Sequence, residues 1–241
     1  TQVTVVELLD RCLPNEDKEV SDEFQKLFKK RGIPILTGTK VEAAGVQNGQ
    51  VVATLNDGKN TSTIEAEMLL VAVGRAPLTS NLNLEKVGVK VDKGGCIEVD
   101  GFMKTSVPNI FAIGDIVRTP QLAHVASAEA ILAVDFILGK NPHPLNYLQN
   151  PGCTYSDPEV ASVGMTEQQA VDAGYTVKIG KFPFSAIGKA RILDKAEGFV
   201  KIVSDARYDE ILGIHIIGPR ATDLIAEACV ALKLESTTEE L

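Results

Sequence analysis

The chain has 241 residues, 44% of them hydrophobic, enough for a sizeable core in one large or two ordinary domains. Its 24 basic and 32 acidic residues leave a net charge of −8 with no basic block, which argues against nucleic acid and anionic membrane surfaces as partners. No apolar run approaches the roughly 18 residues needed to span a bilayer and no secretory leader is recognisable, so a cytoplasmic protein is expected.

Thr1-Gln2-Val3-Thr4-Val5-Val6-Glu7 reads as a strand of β-branched residues ending in an acid. Such a strand belongs inside a parallel sheet, with neighbours on both sides. Asn15 stands at a capping position, and Val20, Phe24, Leu27 and Phe28 line one stripe of an amphipathic helix that Gly32 stops. Ile33 to Leu36 is the next short strand and completes a β–α–β unit. A meander follows: Lys40 to Val46, a turn at Asn48-Gly49, Val51 to Leu55, a turn at Asp57-Gly58, then Thr61 to Ala66. Met68 to Val73 returns as a continuous apolar strand. Gly74-Arg75-Ala76-Pro77 closes it, glycine permitting close backbone approach and proline ending the strand. A domain boundary is placed there, so the first segment is 1–77.

The second segment, 78–146, contains Thr105 to Asp115, in which a short apolar strand over Ile110–Ile113 delivers one carboxylate beside Gly114. Pro120-Gln121-Leu122-Ala123-His124 opens a helix running to Leu138 and capped by Gly139. Its free N–H groups are expected to face the same crevice as Asp115. Asp115 equally fits a turn residue or helix cap.

From Tyr147 the pattern changes to antiparallel strands with two helices, giving an α+β segment, 147–241. The capping box Thr166-Glu167-Gln168-Gln169 starts the first helix, and Ala221 to Lys233 forms the second. Cys12, Cys96, Cys153 and Cys229 are scattered and read as free thiols; with His124, His143 and His215 also dispersed, no metal site is expected. His215, inside the apolar run Ile211 to Pro219, reads as a packed strand residue.

Seven stretches in one order carry a family resemblance: Val3–Glu7, Val71–Pro77, Thr105–Asp115, Leu122–His124, Tyr155–Gly164, Gly180–Phe184 and Gly213–Pro219. With them the chain resembles the pyridine nucleotide-disulfide oxidoreductases, most closely the branch that acts on dihydrolipoamide. The resemblance implies an α/β fold: the second part of a flavoprotein with two Rossmann-like dinucleotide-binding domains, followed by an α+β dimerisation domain. In these terms 1–77 is part of the NAD-binding domain, 78–146 a second segment of the FAD-binding and central region, and 147–241 the interface domain. The implied reaction oxidises dihydrolipoamide to lipoamide and reduces NAD+, through FAD and a redox disulfide. The implied partners are a second copy of the chain and the lipoyl domains and cores of 2-oxoacid dehydrogenase or glycine cleavage complexes, with the mitochondrial matrix as the alternative location.

The same resemblance assigns Glu7 to the NAD ribose, Val41 to the adenine side and Gly74 to a close backbone contact with the cofactor. It assigns Asp115, Gln121, Leu122, Ala123 and His124 to the flavin. Each has a plainer reading beside it. Glu7 also fits a solvated strand end, though an acid there repels a 2′-phosphate and favours NAD over NADP. Val41 also fits simple core, Gly74 turn relief, and Arg75 a surface ion pair worth under about 1 kcal/mol. His124, beside a helix N-terminus, is disfavoured as a cation and fits packing or hydrogen bonding better than acid catalysis. Gln121 stands where the family more usually has Met. The family's two G-x-G-x-x-G turns and C-x4-C disulfide are expected before Thr1, and its catalytic His and Glu after Leu241. The chain is therefore expected to be a fragment without catalytic residues of its own. Glutathione or mercuric reductase relatives, or a non-catalytic dimerisation module, are the other readings.

Overall fold

The computed structural model describes residues 1–241. Its contacts form two compact units, residues 1–70 with 151–241, and residues 71–150.

In the first unit β1 (Val5–Val6) pairs in parallel with β2 (Ile35–Leu36), and α1 (Lys18–Lys30) connects them. The strand expected over Val3–Glu7 is thus two residues long, with one neighbour instead of two. The cap of α1 is Asp17, not Asn15: its carboxylate accepts the Glu19 N–H, and it is also held by Lys201, which gives it a partner that the more exposed Asn15 lacks. Gly32, at φ +78°, ends the helix. β3 (Lys40–Gln47), β4 (Gln50–Asn56) and β5 (Thr61–Ala66) form the expected meander, with Asn48 and Gly49 both at positive φ in the first turn. The strand expected over Met68–Val73 does not form. No segment of the chain offers it a ladder, and Leu70 and Val73 are 87% and 92% exposed.

The 71–150 unit carries little regular structure beyond α2 (Leu84–Val87) and α3 (Ala123–Ile137). Short bridges join its loops, and Val89, Ile97, Ala112 and Val117 form its core. The strand expected at Ile110–Ile113 reduces to one bridge, Phe111 opposite Lys104, because the chain turns at once into a 3-10 segment, Gly114–Ile116. Leu138 caps α3 and Gly139 follows at φ +71°, as expected.

Residues 151–241 add β6 (Gly152–Thr154), β7 (Glu159–Gly164), α4 (Glu167–Asp172), β8 (Val177–Pro183), α5 (Gly188–Ile192), β9 (Phe199–Asp205), β10 (Ile211–Gly218) and α6 (Ala221–Lys233). The sheet is antiparallel in the order β6-β7-β10-β9-β8. The capping box opens α4 as read from Thr166 and Gln169, while α5 is a short helix the sequence pattern did not announce. β10 is buried along its whole length because both faces are covered. Ile214 and Ile216 pack with Ile225 and Ala228 of α6. Ile217, with Val160 and Phe199, packs against Val20, Phe24 and Leu27 of α1. At Gly213 an added Cβ would stand 2.0 Å from the Met165 carbonyl oxygen, so this strand crossing admits only glycine.

Candidate functional site

Within the 71–150 unit the chain gathers Gly74, Asp115 and the residues from Gln121 to His124. Gly74 lies at φ +105° and Gly114 at φ +72°, backbone conformations that favour glycine. Asp115 sits in the 3-10 turn, and its Oδ2 is 2.7 Å from Nη1 of Arg75. Nη2 of Arg75 donates to the Gln121 carbonyl at 3.0 Å, and Nε2 of Gln121 donates to the Asp115 carbonyl at 3.3 Å. These three residues therefore tie the turn to the entry of α3. Leu122, the N-cap of α3, is extended and offers no side-chain acceptor, and the first turn holds no acid. The leading N–H groups of the helix are thus left for a ligand or solvent. Ala123 and His124 are exposed, while Gln121 and Leu122 are half-buried.

Glu7 and Val41 lie in the other unit and come together there. The Glu7 N–H donates to the Leu36 carbonyl, and the Glu7 carbonyl accepts the Thr39 N–H, two residues before Val41. One carboxylate oxygen of Glu7 accepts the Leu9 N–H at 2.8 Å. Val41, in β3, is 42% exposed and so is not part of the core.

Two groups of polar residues escaped the sequence reading. Glu129 is buried on the apolar stripe of α3, accepting the Gly114 N–H at 2.7 Å through Oε2 and the Tyr147 hydroxyl at 3.0 Å through Oε1. Burial and the neighbouring carboxylate push the Tyr147 hydroxyl up to about 12. The signal was an acid on the stripe otherwise made of Val125, Leu132 and Ala133. In the other unit the buried Nζ of Lys201 meets Asp17 at 2.9 Å, Glu19 at 3.0 Å and Glu167 at 2.6 Å. Burial alone would lower the Lys201 ammonium, but three carboxylates outweigh it and hold it above its usual range. Asp17 is likewise penalised by burial, yet the bond from Lys201 and the Glu167 and Glu19 N–H groups leave its carboxyl below the usual value. His215, on β10, is buried beside this cluster, with Nε2 3.0 Å from the Met165 carbonyl; burial lowers its imidazole and favours the neutral ring. The cysteines are unpaired, and burial raises the Cys12 thiol to about 11.

Residues 1–130 match the model of the pyridine nucleotide-disulphide oxidoreductase family, and residues 150–241 match that family's dimerisation domain. The chain belongs to the pyridine nucleotide-disulphide oxidoreductases. It is 46% identical over its whole length to a dihydrolipoyl dehydrogenase of Bacillus subtilis, covering 51% of that protein. To a mitochondrial dihydrolipoyl dehydrogenase of Arabidopsis thaliana it is 41% identical over its whole length, covering 48%. The crystal structure of LpdA from Mycobacterium tuberculosis superposes with a TM-score of 0.90 at 27% identity, over all of this chain and 52% of that one. The chain thus spans about half the length of the curated relatives it matches. In family terms the fold is mixed α/β, with the five-stranded sheet and its helices lying in the region matched to the dimerisation domain. No helix is long and apolar enough to cross a membrane.

Proposed function

We propose that this chain supplies nucleotide-binding and dimerisation parts of a flavin-dependent dihydrolipoamide dehydrogenase, in which dihydrolipoamide and NAD+ become lipoamide, NADH and a proton. The observation that carries this reading is the Gly114–Asp115 turn held beside the uncapped start of α3, in a chain whose relatives bear that enzyme's name. A half-exposed carboxylate beside free N–H groups suits flavin: Asp115 accepts from a ribityl hydroxyl, and the helix end favours negative charge on the pyrimidine side of the reduced ring. Gln121, Leu122, Ala123 and His124 contribute backbone and edge contacts there. When bound, FAD supplies the two-electron link between dithiol and nicotinamide. Glu7 has a second carboxylate oxygen to offer the NAD ribose, Val41 presents an exposed apolar surface to the adenine, and Gly74 allows close approach of the cofactor. None of these residues is assigned a proton or electron transfer.

In domain terms, 1–77 belongs to the NAD-binding part, 78–146 to the central flavin region and 147–241 to the interface between two copies. The partners are a second copy and the lipoyl-bearing complexes of 2-oxoacid oxidation or glycine cleavage, and the location is the cytoplasm, with the mitochondrial matrix as the alternative. Purification of the full-length protein tests the reading: bound FAD and dihydrolipoamide-dependent NADH formation are expected. A flavin-free protein, or one that prefers glutathione disulfide, overturns it.

A further inference from the structure

We propose that Glu129 is a positioning residue for the flavin-facing carboxylate of Asp115, locked in place by Tyr147; the proposal rests on the flavin reading above.

Glu129 has no exposed surface and no cation bonded to it, and it occupies an α3 stripe otherwise made of Val125, Leu132 and Ala133. A carboxylate in such a place is costly unless its oxygens are filled, and truncating it would leave its partners orphaned. Both oxygens are filled from separate segments. Oε2 takes the N–H of Gly114 at 2.7 Å, and Oε1 takes the hydroxyl of Tyr147 at 3.0 Å. Tyr147 is itself fixed in a short 3-10 turn that Asn146 caps by accepting the Leu148 N–H.

The consequence falls on the residue next to Gly114. The Gly114 carbonyl accepts the Val117 N–H at 3.0 Å, so both sides of that residue are fastened, and α3 closes the remaining space: a Cβ on Gly114 would meet the Cβ of Ala126 at 3.4 Å. Ala126 and Glu129 are three residues apart and share a helix face, so one face of α3 both seats and ties the turn. The carboxylate of Asp115 then leaves the turn in one direction, toward Arg75 and the start of the same helix. Glu129 thus sets the distance between a ligand-accepting carboxylate and the ligand-accepting N–H groups of α3 without touching either the ligand or Asp115 itself.

The test uses Glu129→Ala, Glu129→Gln and Tyr147→Phe in the full-length protein, with amide hydrogen exchange at Gly114 and the rate of FAD release as readouts. Loss of a hydrogen bond to a charged group corresponds to about tenfold. Glu129→Ala is expected to speed both Gly114 exchange and FAD release by about tenfold, with exchange in the middle of α3 unchanged. Glu129→Gln, whose amide oxygen still accepts the Gly114 N–H, should stay within about threefold of wild type. Tyr147→Phe removes only the hydroxyl and should release FAD about threefold faster; it carries the test if Glu129→Ala does not fold. Gly114 exchange as slow in Glu129→Ala as in wild type, or a freed amide with unchanged FAD release, overturns the proposal. A uniform rise in exchange along α3, with no rescue by Gln, overturns it in favour of a structural role. A wild-type protein without flavin removes the flavin reading instead, and the exchange measurement still decides whether Glu129 holds the turn.

Discussion

Nη1 of Arg75 stands 2.7 Å from Oδ2 of Asp115, so the carboxylate proposed for the flavin already has a cation beside it. Arg75 is largely and Asp115 partly solvent-exposed, and such a pair is worth at most about 1 kcal/mol. A ribityl hydroxyl can share Asp115 with Arg75 at little cost. Asp115→Ala removes a charge-assisted bond worth on the order of 1.5–3 kcal/mol and is expected to lower FAD retention by tenfold or more. Asp115→Asn should be milder, and Arg75→Ala milder still. Full FAD content in purified Asp115→Ala would return Asp115 to the role of a turn residue.

If Glu7 holds the NAD ribose as proposed, it is expected to set the nicotinamide preference. Its carboxylate repels a 2′-phosphate, and one of its oxygens also holds the Leu9 N–H, a bond that an amide can keep. Glu7→Gln is therefore expected to leave the turn intact, weaken NAD by about tenfold and narrow the gap to NADP. Steady-state KM values for the two cofactors decide it. A wild-type preference for NADP would contradict the assignment.

Lys201→Met strands three carboxylates around a buried site and should cost about 3–5 kcal/mol at pH 7. The pH dependence separates this loss from simple repacking. In the wild type, Asp17 and Glu19 titrate below their ordinary values of 3.8 and 4.5, so their contribution is present above those values and fades as the pH falls through the lowered ones. Lys201 titrates above 10.5, so its contribution is complete below that pH and fades only as the pH rises past it. Without the lysine the clustered acids prefer the protonated form, and stability should rise from pH 7 toward pH 4.5, a range over which the wild-type cluster keeps its full contribution. Urea midpoints across this range show it, and parallel profiles would argue against the cluster.

Tyr147 carries a spectroscopic mark. The chain has four tyrosines, and ultraviolet titration is expected to show one ionising near pH 12, absent in Tyr147→Phe. Because folding favours its neutral form, its contribution to stability holds below about pH 10 and is lost between there and pH 12. Glu129→Gln should move the step down by part of the shift, since burial, the larger cause, remains. A step that vanishes in some other tyrosine variant would place the perturbed hydroxyl elsewhere.

What could be read from the chain was whatever its neighbours in sequence determine. Asn48-Gly49 and Asp57-Gly58 fix the meander through their own backbone preferences, and the stripe from Val20 to Phe28 fixes α1. Met68–Val73 has equal β-propensity, but a strand exists only beside a partner, and no local pattern reports whether one is there. The Asp115 turn was legible because its glycine and acid are adjacent. Its tie to Glu129 was not, since an acid on an apolar stripe looks like a fault in the periodicity until the group it accepts from is known. The choice of Asp17 over Asn15 as helix cap depended on Lys201, far along the chain.

Asp17 and Lys201 are 184 residues apart. A ribosome adding roughly 5–20 residues per second leaves the capped end of α1 waiting on the order of 10–40 s for its lysine. During that interval Val20, Phe24 and Leu27 have no β10 to cover them, and the whole 71–150 unit emerges first. Synthesis therefore passes through a stage at which the apolar face of α1 is exposed, and a chaperone that binds apolar helices is expected to hold the nascent chain there until β10 emerges.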